Sequence, residues 1–336
     1  MKLFHSLLYP LLGGLFCLSC SDDEQDTGTK QPTTAGEVTF GVDLTGFSTR
    51  VTQDGSSWND GDKIGTYVLD MKTLEPVTEA ANVPYVCSEE GASVSFTSTT
   101  PLKVQNDGTP VKFVAYYPYN ADVRNFNYPV QLAAQERGST ACDLLYAATK
   151  EEYTYSPENE PHISLNFTHR LAKVILKFVN MEKEPLEVSD VRIEGMQTAA
   201  SFNIQTDVLT VDESSVATIN PYHNATTGFY EAIILPSALT DSYKVSFVLD
   251  DREKEWIFTN LDIALPQFHK GYSYTFALYI DDSGFVEMGR LENVDGGNSS
   301  APWEDGSSED GTAEGDKTPV SGYAFTPACL LYTSDA

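Results

Sequence analysis

The sequence predicts an all-β protein built as two successive sandwiches with aligned sheets, and three observations carry that expectation. Apolar side chains recur with a period of two along most of the chain, as in strands that bury one face. No window long enough for a sizeable helix keeps an i, i+3, i+4 apolar stripe. The aromatic residues include 18 Tyr and 17 Phe against 5 Met, a bias that suits pleated sheets more than helix bundles. With 336 residues, 41% of them hydrophobic, the chain can bury two cores of ordinary size.

The N-terminus comes first. Lys2 precedes an apolar run that is broken by His5, Ser6, Pro10 and Gly13-Gly14 and ends at Cys20. It is too short and too interrupted for a membrane-spanning helix, so residues 1–19 read as a signal peptide. Cys17-Leu18-Ser19-Cys20 resembles a bacterial lipobox, which implies cleavage after Ser19 and diacylation of Cys20 as the first mature residue. Cys17 is the poorer acceptor because bulky Phe16 would occupy the cleavage position. The plainer alternative is an ordinary secretory signal with an incidental cysteine. Ser21, Asp22, Asp23 and Glu24 follow at once and resemble the acidic export signal that sends Bacteroidetes lipoproteins to the outer face of the outer membrane. They also serve as a solvated tether, and the composition of residues 20–36 predicts a lipidated flexible linker.

From residue 37 onward the alternation marks strands over 38–43, 63–69, 93–97, 111–117, 162–167, 188–193 and 230–235. The clearest lie at 173–178, 243–249 and 272–278, where Val174, Leu176 and Phe178, or Tyr274, Phe276 and Leu278, alternate with other residues. Asp250-Asp251-Arg252-Glu253 turns the second of these into a hairpin that places Trp256 and Phe258 on one face. Residues 129–135 offer at most one helical turn. Met-Glu-Lys-Glu-Pro at 181–185 interrupts two strong strands, so the sandwiches are expected at 37–183 and 184–303. Residues 304–336 form an acidic tail with the composition of a disordered segment; acidic residues from Asp281 to Asp316 far outnumber Arg290 and Lys317. The last eight residues, Cys329 to Ala336, look like the translation of a sequencing adapter, so the native frame is expected to end near Ala328.

Charge and composition exclude several functions. With 49 acidic and 21 basic residues, the formal charge of −28 argues against nucleic acid, whose binding rests on Lys and Arg neutralising phosphates, and against a grip on anionic head groups. No G-x-S-x-G elbow, H-E-x-x-H helix, P-loop or G-x-G-x-x-G turn occurs. Carboxylate pairs such as Asp250-Asp251 and Asp281-Asp282 reflect acidic abundance more than glycosidase machinery. No metal and no cofactor are expected. The mature histidines His162, His169, His223 and His269 lack ligand spacing, and the acidic runs at 54–62 and 304–316 lack the EF-hand order, so they read as solvated loops. His169 is the most tempting catalytic candidate, beside Arg170 and near Lys173; a hydrogen-bonded imidazole at a strand bend is the bland account and the favoured one. An oxidising compartment permits a Cys87 to Cys142 disulfide, and two small buried thiols are the alternative.

Several strings share an order with a known family. Thr49-Arg50, then Trp58-Asn59-Asp60-Gly61-Asp62-Lys63-Ile64-Gly65, resembles the opening of fimbrillin-like proteins of Bacteroidales. The order continues through Ala115-Tyr116-Tyr117-Pro118-Tyr119, Gln135, Asp143-Leu144-Leu145-Tyr146-Ala147, Phe167-Thr168-His169-Arg170-Leu171-Ala172-Lys173-Val174, Leu235-Pro236, Gly271-Tyr272-Ser273-Tyr274 and Trp303. The resemblance implies two tandem transthyretin-like β-sandwich domains and a non-catalytic, surface-exposed lipoprotein of the cell outer membrane or fimbrium, structural or adhesive in type V pili. It also implies its partners: other fimbrial subunits, outer-membrane lipid through the acyl anchor, and host or bacterial glycans or proteins. In the family an arginine-specific protease removes an N-terminal strand and a neighbouring subunit fills the groove; here the strand is 37–44 and the cut follows Arg50. Two competing classes remain: a monomeric glycan-binding lipoprotein with Trp58, Tyr116, Tyr119 or Trp303 as sugar platforms, and a β-sandwich hydrolase with His169 in a cleft.

Overall fold

The computed structural model describes residues 35–43, 58–78, 81–91, 93–135, 138–181, 186–249, 252–258, 267–281, 286–292 and 304–305. They are almost entirely strand and turn, with one short 3-10 helix at Ser139–Cys142. None of their helices is long and apolar enough to cross a membrane.

The first half contains β1 (Ala35–Glu37), β2 (Thr39–Asp43), β3 (Lys63–Asp70), β4 (Val83–Cys87), β5 (Ser93–Thr97) and β6 (Lys103–Gln105). It continues with β7 (Val111–Tyr117), β8 (Asn127–Gln131), β9 (Leu145–Ala148), β10 (His162–Ser164) and β11 (Thr168–His169). Eight of these make one sheet in the order β10-β2-β5-β4-β3-β7-β9-β11. Its two edge strands, β10 and β11, are separated in sequence only by Leu165, Asn166 and Phe167. The four peptide units from Ser164 to Thr168 span at most about 14 Å, whereas eight flat strands would hold their edges about 34 Å apart. The sheet therefore rolls up, and one extended run closes it. From Pro161 to His169 burial alternates without a break, while the run pairs first with β2 and then with β9. Inside the roll lies a core that includes Phe40, Trp58, Tyr85, Phe96, Phe113 and Phe167.

The second half contains β12 (Ala172–Asn180), β13 (Val188–Glu194), β14 (Ala199–Asn203), β15 (Val208–Val211), β16 (Tyr222–Asn224), β17 (Phe229–Ile234) and β18 (Ser237–Ala238). After these come β19 (Lys244–Leu249), β20 (Arg252–Ile257), β21 (Gln267–Phe268), β22 (Tyr272–Ile280), β23 (Val286–Glu292) and β24 (Glu304–Asp305). The sheet β16-β17-β12-β22-β23 faces the sheet β13-β19-β20 across a second core, to which Leu176, Ile193, Phe247, Trp256 and Phe276 belong.

β12, which the boundary expected at 181–185 leaves in the first sandwich, lies between β17 and β22 in the second half. The joint falls at Arg170-Leu171, where the chain passes directly from β11 to β12 and composition has no reason to change. Residues 129–135 differ too: Asn127–Gln131 is strand β8, which pairs with β14 from the other half. The sheet β15-β14-β8 thus joins the halves, and a third core beneath it draws Tyr67, Val114 and Tyr116 from one side and Phe202, Ile204 and Ile233 from the other.

Candidate functional site

The place of interest is the slot that β1 and β2 fill. β2 is an interior strand, parallel to β10 and antiparallel to β5. Alternation turns Val38, Phe40 and Val42 inward, where each is nearly inaccessible. The Phe40 ring meets Tyr85 edge-on at 4.8 Å and Phe113 at 5.8 Å. The Tyr85 hydroxyl donates to the Val38 carbonyl at 3.0 Å and accepts from the Leu102 amide at 2.8 Å. Burial pushes this phenol up to about 12, against the opposing pull of the Leu102 hydrogen bond. On the outer side Thr39 Oγ1 lies 3.0 Å from His162 Nδ1.

Two glycines let neighbouring side chains close over this strand pair. A Cβ on Gly36 would stand 2.4 Å from the Tyr155 ring and 2.8 Å from Pro161. One on Gly41 would stand 2.6 Å from His162 Nε2. Sequence reasoning named neither glycine, although a Gly inside the alternating run Val-Thr-Phe-Gly-Val is a signal of close approach.

A cavity of about 690 Å³ opens beside the slot, where His162, Ile163 and Ser164 face Ala148 to Tyr153. Arg170 and Asp207 also line it. Asp207, in the β14–β15 turn, had no signal in the sequence beyond being one acidic residue among many.

The segment 44–57, which carries Arg50, lies outside the described residues between β2 and Trp58. Ser19, Cys20, Ser21, Asp22, Asp23, Glu24, Trp303 and Cys329 are outside them as well.

The other strings build the cores and the joint. His169 is 5% exposed and its Nδ1 lies 2.9 Å from Asp143 Oδ1, so its ring is packed away from solvent. Gln135 Nε2 donates to the carbonyls of Leu132 and Ile233, and its Oε1 accepts from the Ile233 amide. Trp58 and Tyr116 are fully buried, which corrects their expected place on an exposed sugar platform. Trp58 packs edge-on against Phe96, Tyr117 and Phe167. Asp60-Gly61 forms a turn, with Gly61 at φ +87°. Gly65 admits the Tyr116 ring: its Cβ would stand 2.2 Å from Tyr116 Cε1. Cys87 is a buried free thiol and Cys142 a partly exposed one, and burial raises both. Among the described residues no group of three or more His, Cys, Asp or Glu is placed to hold a metal.

The sequence matches the fimbrillin-like family over residues 49–303. A proposed cell adhesion protein from Bacteroides uniformis ATCC 8492 has a similar structure at 21% identity, with 77% of this chain and 97% of that one covered and a TM-score of 0.62. A second proposed cell adhesion protein, from Bacteroides ovatus ATCC 8483, is similar at 15% identity over 77% of this chain and 96% of its own, with a TM-score of 0.57. At these identities the likeness speaks for the fold. No curated protein is similar enough in sequence to count as a relative.

Proposed function

Since the chain belongs to the fimbrillin-like family, we propose that it is a surface-anchored, non-catalytic fimbrial subunit, structural or adhesive, that joins its neighbours by strand exchange. The slot of β1 and β2 carries this reading. β1 and the interior strand β2 fill it, and the chain connects them to the rest of the fold only through the segment containing Arg50. A cut after Arg50 turns the strand from a tethered ligand into a free one, and the high effective concentration that holds it in place is lost. Leaving exposes the backbone edges of β5 and β10 together with apolar pockets at Tyr85, Phe96 and Phe113. An extended segment from a second subunit then supplies main-chain hydrogen bonds and fills the same pockets. Burying three such side chains contributes, as an upper bound, about 5–9 kcal/mol, enough to make an open slot a strong acceptor.

In this account the signal ends at Ser19, Cys20 carries the acyl anchor in the outer membrane, and Ser21, Asp22, Asp23 and Glu24 direct the protein to the cell surface. The two halves correspond to the paired transthyretin-like domains of the family, with the joint at 170/171. Other fimbrial subunits are the principal partners. Electron microscopy of producing cells with an antibody to this chain tests the reading: filaments carry the label if it is right, and a diffuse label over the cell body alone rejects it.

A further inference from the structure

We propose that the β1–β2 slot is gated by residue size, with His162 admitting only a small residue at the position of Gly41 and so fixing the register of whatever strand lies there. The inference rests on the strand-exchange reading only for which strand fills the slot in the assembled fibre.

The geometry for the gate is local. β2 and β10 run parallel with His162 opposite Thr39 and Ser164 opposite Gly41. The imidazole leans along the outer face from its own register position to the next outward-facing one. There its Nδ1 meets Thr39 Oγ1 at 3.0 Å, and its Nε2 occupies the space a Cβ on residue 41 would need. Gly36 lies five positions earlier beneath Tyr155 and Pro161, which are less free to yield because Pro161 is buried. Between and beyond these two checkpoints Val38, Phe40 and Val42 point inward. The slot therefore takes an extended peptide of the pattern small-x-apolar-x-apolar-small-apolar.

Register control is needed here. A strand shifted by one residue turns its apolar side chains outward, but one shifted by two keeps the same face inward. Only a feature such as a small residue beneath a neighbouring side chain separates those two-residue alternatives. A shift of two brings Thr39 or Asp43 beneath His162, and either side chain must push the imidazole tip aside and away from its contact with the residue at position 39.

The sign of one substitution tests the gate. Glycine weakens a strand interior and a β-branched residue favours it, so at an open, half-exposed position Gly41→Val should raise the melting temperature of the intact chain. With His162 in place Gly41→Val is expected to lower it, and in a His162→Ala background the same change is expected to be neutral or stabilising. Gly41→Ala, a milder intrusion, should show the same reversal and serves if the valine variant does not fold. A drop of equal size in both backgrounds, or a gain with His162 present, overturns the gate. A second arm uses the full chain cut after Arg50 and labelled peptides of residues 33–43. The Gly41→Val peptide should bind about tenfold more weakly than the natural one, and His162→Ala should remove most of that difference; equal binding to both chains overturns the proposal. If the chain is not cut, or keeps its strand once cut, strand exchange fails while the intact-chain comparison still decides the gate.

Discussion

Arg170 grips Asp207 across the joint between the two halves, its Nε and Nη2 both on the carboxylate and the second contact at 3.0 Å. The same guanidinium lies over the Tyr146 ring, 4.7 Å from its centroid. The Arg170 side chain is 12% exposed and that of Asp207 33% exposed, which places the pair between a surface bridge and a buried one. Arg170→Ala is expected to lower stability by about 2–3 kcal/mol in denaturant unfolding, below the 3–5 of a fully buried pair. Arg170→Lys should recover less than half of it, because lysine supplies neither the fork nor the planar stack.

The halves should not fold apart. β8 pairs with β14, Ile204 N donates to Phe126 O, and Gln205 Nε2 donates to Leu74 O at 2.8 Å, all across the joint. Expressed alone, residues 35–170 would expose Tyr67, Val114 and Tyr116, and residues 171–305 would expose Phe202 and Ile204. Each fragment is expected to lack the near-ultraviolet circular dichroism of the whole chain. A sharp, native-like spectrum from either one contradicts an interdependent joint.

These cross-joint elements were the least legible in the sequence, for physical reasons. β12 alternates buried and partly buried residues over its first five positions, and in β19 and β22, although both faces are covered along the middle, large apolar side chains largely alternate with smaller or more polar ones, so their periodicity shows directly. β8 carries Pro129, which argues against a strand unless, as here, the strand lies at a sheet edge. β14 is written largely in small and polar residues, and one of its two partners, β8, comes from the other half. β9 is buried on both faces, so it has no alternation to read. At the site, the inward pattern of Val38, Phe40 and Val42 was visible. His162 above Gly41 was not, because their contact joins residues that only the parallel pairing of β2 and β10 brings together.

Gly65→Ala should be costly although alanine is small. The added methyl would meet the Tyr116 ring, which is held by hydrogen bonds from its hydroxyl to Asn82 Oδ1 at 2.7 Å and the Asn120 carbonyl at 3.1 Å. A loss of about 1–3 kcal/mol is expected, with partial recovery in Gly65→Ala/Tyr116→Leu. Full native stability in the single variant would show that the ring can move aside.

Stability should fall at high pH. Burial, the leading cause in each case, pushes Tyr67, Tyr85, Tyr128, Tyr146 and Tyr274 up to about 12. Above about pH 10 the unfolded chain loses these protons while the folded chain keeps them, so unfolding is favoured increasingly as pH climbs from 10 towards 12. Denaturation midpoints should drop across that window, with tyrosinate absorbance rising at the unfolding transition. Gradual ionisation of these tyrosines near pH 10 in the folded chain would contradict it.

Tyr85→Phe isolates the contribution of one of them at the slot. The change leaves the Val38 carbonyl and the Leu102 amide without the hydroxyl that serves both. A loss of about 1–3 kcal/mol is expected, together with a weaker hold on β2, seen as faster hydrogen exchange at Phe40 and Val42 than in the natural chain.

The central claim, that β2 is exchangeable, is tested most directly by treating the purified chain with an arginine-specific protease and following both mass and assembly. The account predicts a cut after Arg50, a new N-terminus at Val51, release of the segment carrying β1 and β2, and growth of the cut chain into oligomers that a synthetic peptide of residues 33–43 blocks. A chain that resists cutting at Arg50, or that is cut there and remains a monomer with its first strands in place, would contradict it.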